Sequence, residues 1–196
     1  MQTMQTPAHA QRANFGCRAP LGFTTIELMV VIAIVAVLAA LAAPSFNPLI
    51  ERWRVRQSVD GLQSALYYAR SEAIKRGGNI TIRKEPSGAN GCPLASGAGD
   101  WDCGWFVFAD TNNNGTQDSG EEVLQRYATP PNVEVARSAT SADIRFDRWG
   151  RANPPFGFSI VPKAKSTSDP SARGLCMSSG GRIKVTTDPA DIPCAG

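Results

Sequence analysis

Histidine is all but missing: His9 is the single one in 196 residues, and it lies ahead of a long apolar run. Its scarcity removes most routes to general base catalysis, to Ser–His or Cys–His nucleophiles and to imidazole metal sites. No P-loop, G-x-S-x-G or G-x-G-x-x-G stretch occurs either, so the usual backbone scaffolds for phosphate or acyl chemistry are lacking. These absences argue against an enzyme. None of the five cysteines stands in a C-x-x-C pair, and without histidines to join them zinc is a poor reading. An excess of one charge is lacking too, with 20 Lys and Arg against 17 Asp and Glu. Arg12 and Arg18 precede the apolar run and every acid follows Gly22, so the chain from Phe23 onward is nearly neutral. Any anion-binding site must therefore be local.

What the sequence does have is the stretch GFTTIELMVVIAIVAVLAALAAP, residues 22–44. From Leu28 to Ala43 no side chain carries a charge or a hydrogen-bonding group. About 20 residues at ~1.5 Å each approach the ~30 Å of a bilayer's hydrocarbon core. Pro44 then removes a backbone donor and favours a kink. One carboxylate, Glu27, stands near the start. An ionised group inside such a helix costs roughly 2.5–3.5 kcal/mol, so a function and a partner of opposite charge are expected for it. An ordinary secretory signal is cut after its apolar stretch at a small-residue site, whereas SF and NP follow Pro44 here. Cutting at Gly22–Phe23 instead leaves the apolar helix at the new N-terminus, with Glu27 close to a terminal ammonium.

Gly22-Phe23-Thr24-Thr25-Ile26-Glu27-Leu28 resembles the class III signal of type IV pilins and type II secretion pseudopilins. The resemblance implies removal of a leader, residues 1–22, by prepilin peptidase and N-methylation of Phe23. It implies pairing of Glu27 with the terminal amine of an adjacent subunit during filament assembly. It also implies a single pass through the inner membrane, a C-terminal domain in the periplasm, and other pilins or pseudopilins as partners.

Residues 45–76 are amphipathic, with Leu49, Trp53, Leu62, Leu66, Ala69 and Ala73 at three- and four-residue spacings apart from a gap near Gln57. Gly77-Gly78 reads as a stop, and Lys75 and Arg76 suit the negative end of the helix dipole. Within this helix, ARSEAIKR (69–76) leading into a strand resembles the FimT/GspH family of minor pilins and H-type minor pseudopilins. Without that family, Arg70, Glu72 and Lys75 read as a solvated helix face. After Gly78 the period shifts towards two. Strands are predicted over 79–84, 105–109, 123–127, 133–136, 144–146, 157–161, 174–177 and 182–186, with surface loops over 86–100 and 163–173. The expected fold is α+β and type IV pilin-like, a long N-terminal helix spine packed on an antiparallel β-sheet domain. Its parts are a membrane or filament-core helix (23–44), an amphipathic second half (45–78) and a β-rich domain (79–196). Behind a membrane-entering segment, Cys92, Cys103, Cys176 and Cys194 read as two disulfides. Sequence order favours Cys92–Cys103 and Cys176–Cys194 among three possible pairings.

Two stretches in the β half carry candidate sites. DTNNNGTQDSGE, residues 110–121, has EF-hand-like spacing. Asp110, Asn112, Asn114, Asp118 and Glu121 supply side-chain oxygens and Thr116 a carbonyl, so calcium fits the pattern although no cofactor is required. The competing reading is a hairpin loop in which Asn, Asp and Gly serve the turn. The second stretch, Gly181-Arg182-Ile183-Lys184, resembles the G-R-x-R motif by which FimT minor pilins bind double-stranded DNA in natural transformation, with Lys184 departing from the final arginine. Arg182 and Lys184 alternate along the expected strand and so share a face, with Ile183 and Val185 turned inward. DRWGR, residues 147–151, is basic and aromatic, and Trp149 reads either as a core-edge residue or as a base-stacking auxiliary.

Overall fold

The computed structural model describes residues 22–42, 46–93, 95–152 and 154–194. The leader expected over 1–22 lies, Gly22 apart, outside the described residues, as does Pro44. The chain divides into two units after Pro44.

The first unit holds α1 (Thr25–Ala42), 18 residues whose sequence is wholly apolar from Leu28 onward, with Glu27 in the first turn. No helix among the described residues is long and apolar enough to cross a membrane.

The second unit is built on α2 (Asn47–Arg76). Gly77 stops it in the left-handed conformation, φ +81°, and Gly78 N donates to Ala73 O at 2.7 Å, closing a Schellman turn. The buried stripe runs through Val55, Val59, Leu62, Ala65, Leu66, Ala69 and Ala73, helical spacing that puts one face on the core. Leu49 and Trp53, expected in this stripe, are 61% and 63% exposed. The stripe starts only at Val55, so the apolar residues of the first turns remain uncovered in the chain by itself.

Eight strands follow: β1 (Ile80–Lys84), β2 (Trp105–Ala109), β3 (Val123–Tyr127), β4 (Val133–Arg137), β5 (Asp143–Phe146), β6 (Phe156–Pro162), β7 (Arg173–Met177) and β8 (Ile183–Thr186). They form two antiparallel four-stranded sheets, ordered β3-β2-β1-β5 and β4-β6-β7-β8, and α2 packs on both. The α+β architecture is thus a helix on antiparallel sheets, with the core between them. Trp101 and Phe158 meet edge to face at 5.1 Å within it, a geometry worth roughly 0.5–1.5 kcal/mol beyond area burial. Cys92–Cys103 and Cys176–Cys194 are the two disulfides, with Cα–Cα separations of 5.4 and 5.6 Å.

Candidate functional site

β8 is the outer strand of its sheet, pairing only with β7 and placing Lys184 opposite Cys176. It begins at Ile183 rather than Arg182, because Arg182 still belongs to the turn. Gly181 there has φ +80°, Gly181 N donates to Ser178 O at 2.8 Å, and Arg182 N donates to Ser178 Oγ at 3.2 Å. Arg182 and Lys184 are both exposed and line one hollow of about 270 Å³ with Phe156, Met177 and the Cys176–Cys194 disulfide. Two points differ from the sequence expectation. Val185, expected inward, is 41% exposed, as the edge position allows. Lys184 is also not an isolated cation, for its Nζ lies 3.2 Å from Asp191 Oδ2. Asp191 sits in a short 3-10 turn (Pro189–Asp191) opened by Asp188, whose Oδ1 accepts from Ala190 N at 3.0 Å.

The helix motif supplies what joins this turn to the next. Arg70 Nη1 donates to Gly181 O at 2.8 Å across 111 residues of sequence. The Asp147–Arg151 turn sits on the same side chain: a Cβ on Gly150 would lie 2.6 Å from Arg70 Cγ, and one on Gly181 would lie 3.3 Å from Gly150 O. Arg70 therefore holds two distant turns against each other. Its helix neighbour Glu72 is buried between Lys75 (3.2 Å) and Arg76 (2.7 Å). The hydrogen bond from Arg76 foremost, with Lys75 helping, holds its carboxyl below the usual range against the opposing effect of burial. Reading Arg70, Glu72 and Lys75 as a plain solvated face missed this; the only available signal was the family motif. Trp149, for which a core-edge position is one of the two readings from sequence, is 65% exposed, and its turn bonds through the backbone. Asp147 Oδ1 accepts from Trp149 N and Arg151 N, both at 2.9 Å.

The 110–121 loop joins β2 to β3. Asp110 is fully buried: Oδ1 accepts from Asn114 N at 3.0 Å, and Oδ2 accepts from Gly115 N and Thr81 Oγ1, each at 2.8 Å. Glu121 accepts from Thr111 N (2.8 Å) and Asp118 N (2.9 Å). Asp118 Oδ2 accepts from the side-chain amides of Asn112 (2.8 Å) and Asn114 (2.7 Å), which hold its carboxyl below the usual range. Asn114 Oδ1 takes Thr116 N at 2.6 Å. Two guanidiniums complete the loop: Arg145 donates to Asn113 O (3.0 Å) and Asn114 O (3.2 Å), and Arg83 donates to Gly115 O. The six candidate calcium ligands are gathered in one loop, but their carboxylates receive the loop's own N–H groups. Among the described residues no group of three or more His, Cys, Asp or Glu is arranged to hold a metal ion.

In the first unit, Gly22 and Phe23 precede α1 and Phe23 is exposed. Glu27 N donates to Thr24 Oγ1 at 3.2 Å. Thr24-x-x-Glu27 is the pattern of a helix capping box, and it puts a negative charge where the helix dipole favours one. Sequence reasoning had not given Glu27 this local role.

Against known proteins, the family model described as type II transport protein GspH matches residues 58–181. The pilin-like protein PilA1 of Thermus thermophilus is 32% identical over 170 residues, 84% of this chain and 97% of that protein. The type IV major fimbrial protein FimA of Dichelobacter nodosus is 32% identical over 115 residues, 59% of this chain and 56% of that protein. The crystal structure of the type IV minor pilin FimU of Pseudomonas aeruginosa superposes with a TM-score of 0.52 at 21% identity, covering 71% of this chain and 92% of that one. That last likeness speaks to the fold alone.

Proposed function

The chain belongs to the GspH family of type IV pilin-like proteins, and from that premise we propose that it is a minor pilin that helps to initiate or cap a type IV pilus. Proteins of this kind are structural subunits anchored in a membrane and assembled with other pilins or pseudopilins. The observation that carries the reading is the Gly22–Phe23 junction followed by Glu27 at the head of an all-apolar helix. Prepilin peptidase would cut after Gly22 and leave Phe23 as a methylated N-terminus. The domain beyond α1 would face the periplasm until the subunit is drawn from the inner membrane into the filament. A helix apolar on every side has no stable place in water, so a filament core is the natural destination for α1. A minor pseudopilin of type II secretion is the second reading, favoured by the description of the matching family. Mass spectrometry of the membrane-extracted protein should find a chain starting at methylated Phe23. An intact Met1 start, or a cut beyond residue 43, would exclude both filament readings. Recovery in sheared pili, as against a secretion defect on deletion, separates the two.

Arg182 and Lys184 would further give the filament affinity for double-stranded DNA. They line one hollow on an exposed edge, and the chain from Phe23 onward is nearly neutral overall. Such binding rests on phosphate contacts, so it carries little sequence preference and weakens with salt. Arg182→Ala should weaken duplex binding and reduce the slope of log K against log [salt] by about 0.9. Lys184→Ala should act more weakly, because Asp191 already shares its charge, and Asp191→Asn should tighten binding. If wild type fails to bind at low salt, or Arg182→Ala/Lys184→Ala matches it, the DNA role is wrong and the assembly role stands by itself.

A further inference from the structure

Of the four tryptophans, Trp101 and Trp105 are buried in the core and Trp53 lies on the uncovered start of α2. Trp149 differs from all three. It sits at the tip of a turn in the β-rich domain, 65% exposed, on a backbone that leaves it little freedom. Asp147 takes the N–H groups of Trp149 and Arg151, Gly150 N donates to Asp147 O at 2.9 Å, and Gly150 stands at φ +68° against Arg70 and Ile74. An outward indole on a turn fixed by these bonds exposes a large apolar surface, and the backbone beneath it has little freedom left for binding to remove. Its surroundings are cationic. Arg148 adjoins it in sequence, and the abutting turn carries Arg182; Arg70 holds that turn through Gly181 O, and a Cβ added to Gly181 would lie 3.3 Å from Gly150 O. Arg148 and Arg182 are exposed, and among the described residues neither guanidinium has an ion pair; Arg151 by contrast is paired with Asp147 at 2.9 Å.

We propose that the 147–151 turn and the 178–182 turn form one composite surface for single-stranded nucleic acid, with Trp149 stacking on an unpaired base while Arg148 and Arg182 hold the flanking phosphates. The inference rests on the DNA reading of Arg182 and makes that site prefer frayed or unpaired strands. In an intact duplex the base faces are already stacked and closed to an indole; in a single strand they are open.

The test uses the full chain in detergent, with a poly-dT oligonucleotide and a duplex of equal length as probes. Trp149→Ala and Trp149→Leu should each lower poly-dT affinity by roughly tenfold, the loss of one base–aromatic stack, with duplex affinity and both salt slopes unchanged. Trp149→Phe should restore most of the poly-dT affinity. In a Trp53→Phe background, poly-dT should quench the remaining exposed emission, and Trp149→Leu should abolish the quenching. If the Trp149 variants bind poly-dT like wild type while Arg182→Ala weakens both probes, the stack is wrong and the duplex reading survives. If wild type binds neither probe at low salt, both fall. If Trp149→Ala leaves both affinities intact but is lost from filaments, the indole belongs to a subunit contact and the proposal is overturned.

Discussion

Glu27→Ala should leave the protein in the membrane, with its β-rich domain folded, and remove it from sheared filaments. The two halves of this outcome have separate causes. The domain is insulated because α1 belongs to a different unit from α2 and the sheets, so protease resistance beyond residue 46 should match wild type. On the proposed processing, assembly would fail because the methylated terminal ammonium of an adjoining subunit would lose the carboxylate that balances it once water is excluded. Removing one partner of a buried ion pair costs about 3–5 kcal/mol, which corresponds to incorporation lower by about two to four orders of magnitude. The structure raises a rival explanation, since Glu27 also stands at the third position of a capping box with Thr24. Losing a cap costs only about 0.5–2 kcal/mol. Glu27→Gln separates the two, because glutamine serves a capping box as glutamate does but has no charge to pair. Both variants should be missing from filaments, and a normally incorporated Gln variant would reduce Glu27 to a helix cap.

Gly104→Ala should destabilise the β-rich domain by more than about 3 kcal/mol, the range of strain combined with backbone overlap. Gly104 has φ +103°, a region in which L side chains are strained. Its position also leaves no room. An added Cβ would overlap Tyr127 O and lie 3.1 Å from Ala128 Cα, both backbone atoms. Relief would have to part β2 from β3 where Trp105 pairs with Tyr127, next to the Cys92–Cys103 disulfide and beside the bond from Glu85 N to Gly104 O at 2.8 Å. A fall in Tm of about 6–12 °C follows for a domain of this size. Gly120→Ala is the control. Its φ of +96° is similar but nothing lies within 4 Å of an added Cβ, so it should lose only the ~1–2 kcal/mol of backbone strain. Equal losses at the two sites would show that strain alone decides.

All eight strands, α2 and its glycine stop could be located from sequence because their signals are local: alternation, helical spacing and the Gly77-Gly78 pair. Boundaries moved by a residue where backbone geometry intervened, as at Asn79, which holds φ +56° just ahead of β1. Grouping the strands into two sheets was not legible, since β1 lies between β2 and β5 and only contacts remote in sequence decide that order. The candidate site divides the same way. Arg182 and Lys184 were visible as an alternating pair, and the two disulfides as neighbours in chain order. The Lys184–Asp191 pair, the exposure of Trp149 and the Arg70–Gly181 bond were not, because each depends on how separate segments dock. Leu49 and Trp53 show the converse: helical spacing identifies a face, yet whether anything covers it depends on where the sheets end.

Arg70 grips Gly181 through a backbone carbonyl, and the neighbouring turn meets it through a glycine. A guanidinium–carbonyl bond of this kind contributes about 1.5–3 kcal/mol while reading nothing of the side chains the turns display. The joint thus separates where the displayed residues stand from which residues they are. Residues 148, 149 and 182 can be exchanged one at a time without dismantling the mount, so the surface can be retuned towards a new ligand at little risk to the fold. Replacing Arg70 itself has no such latitude: it would let both turns drift together and change every displayed group at once.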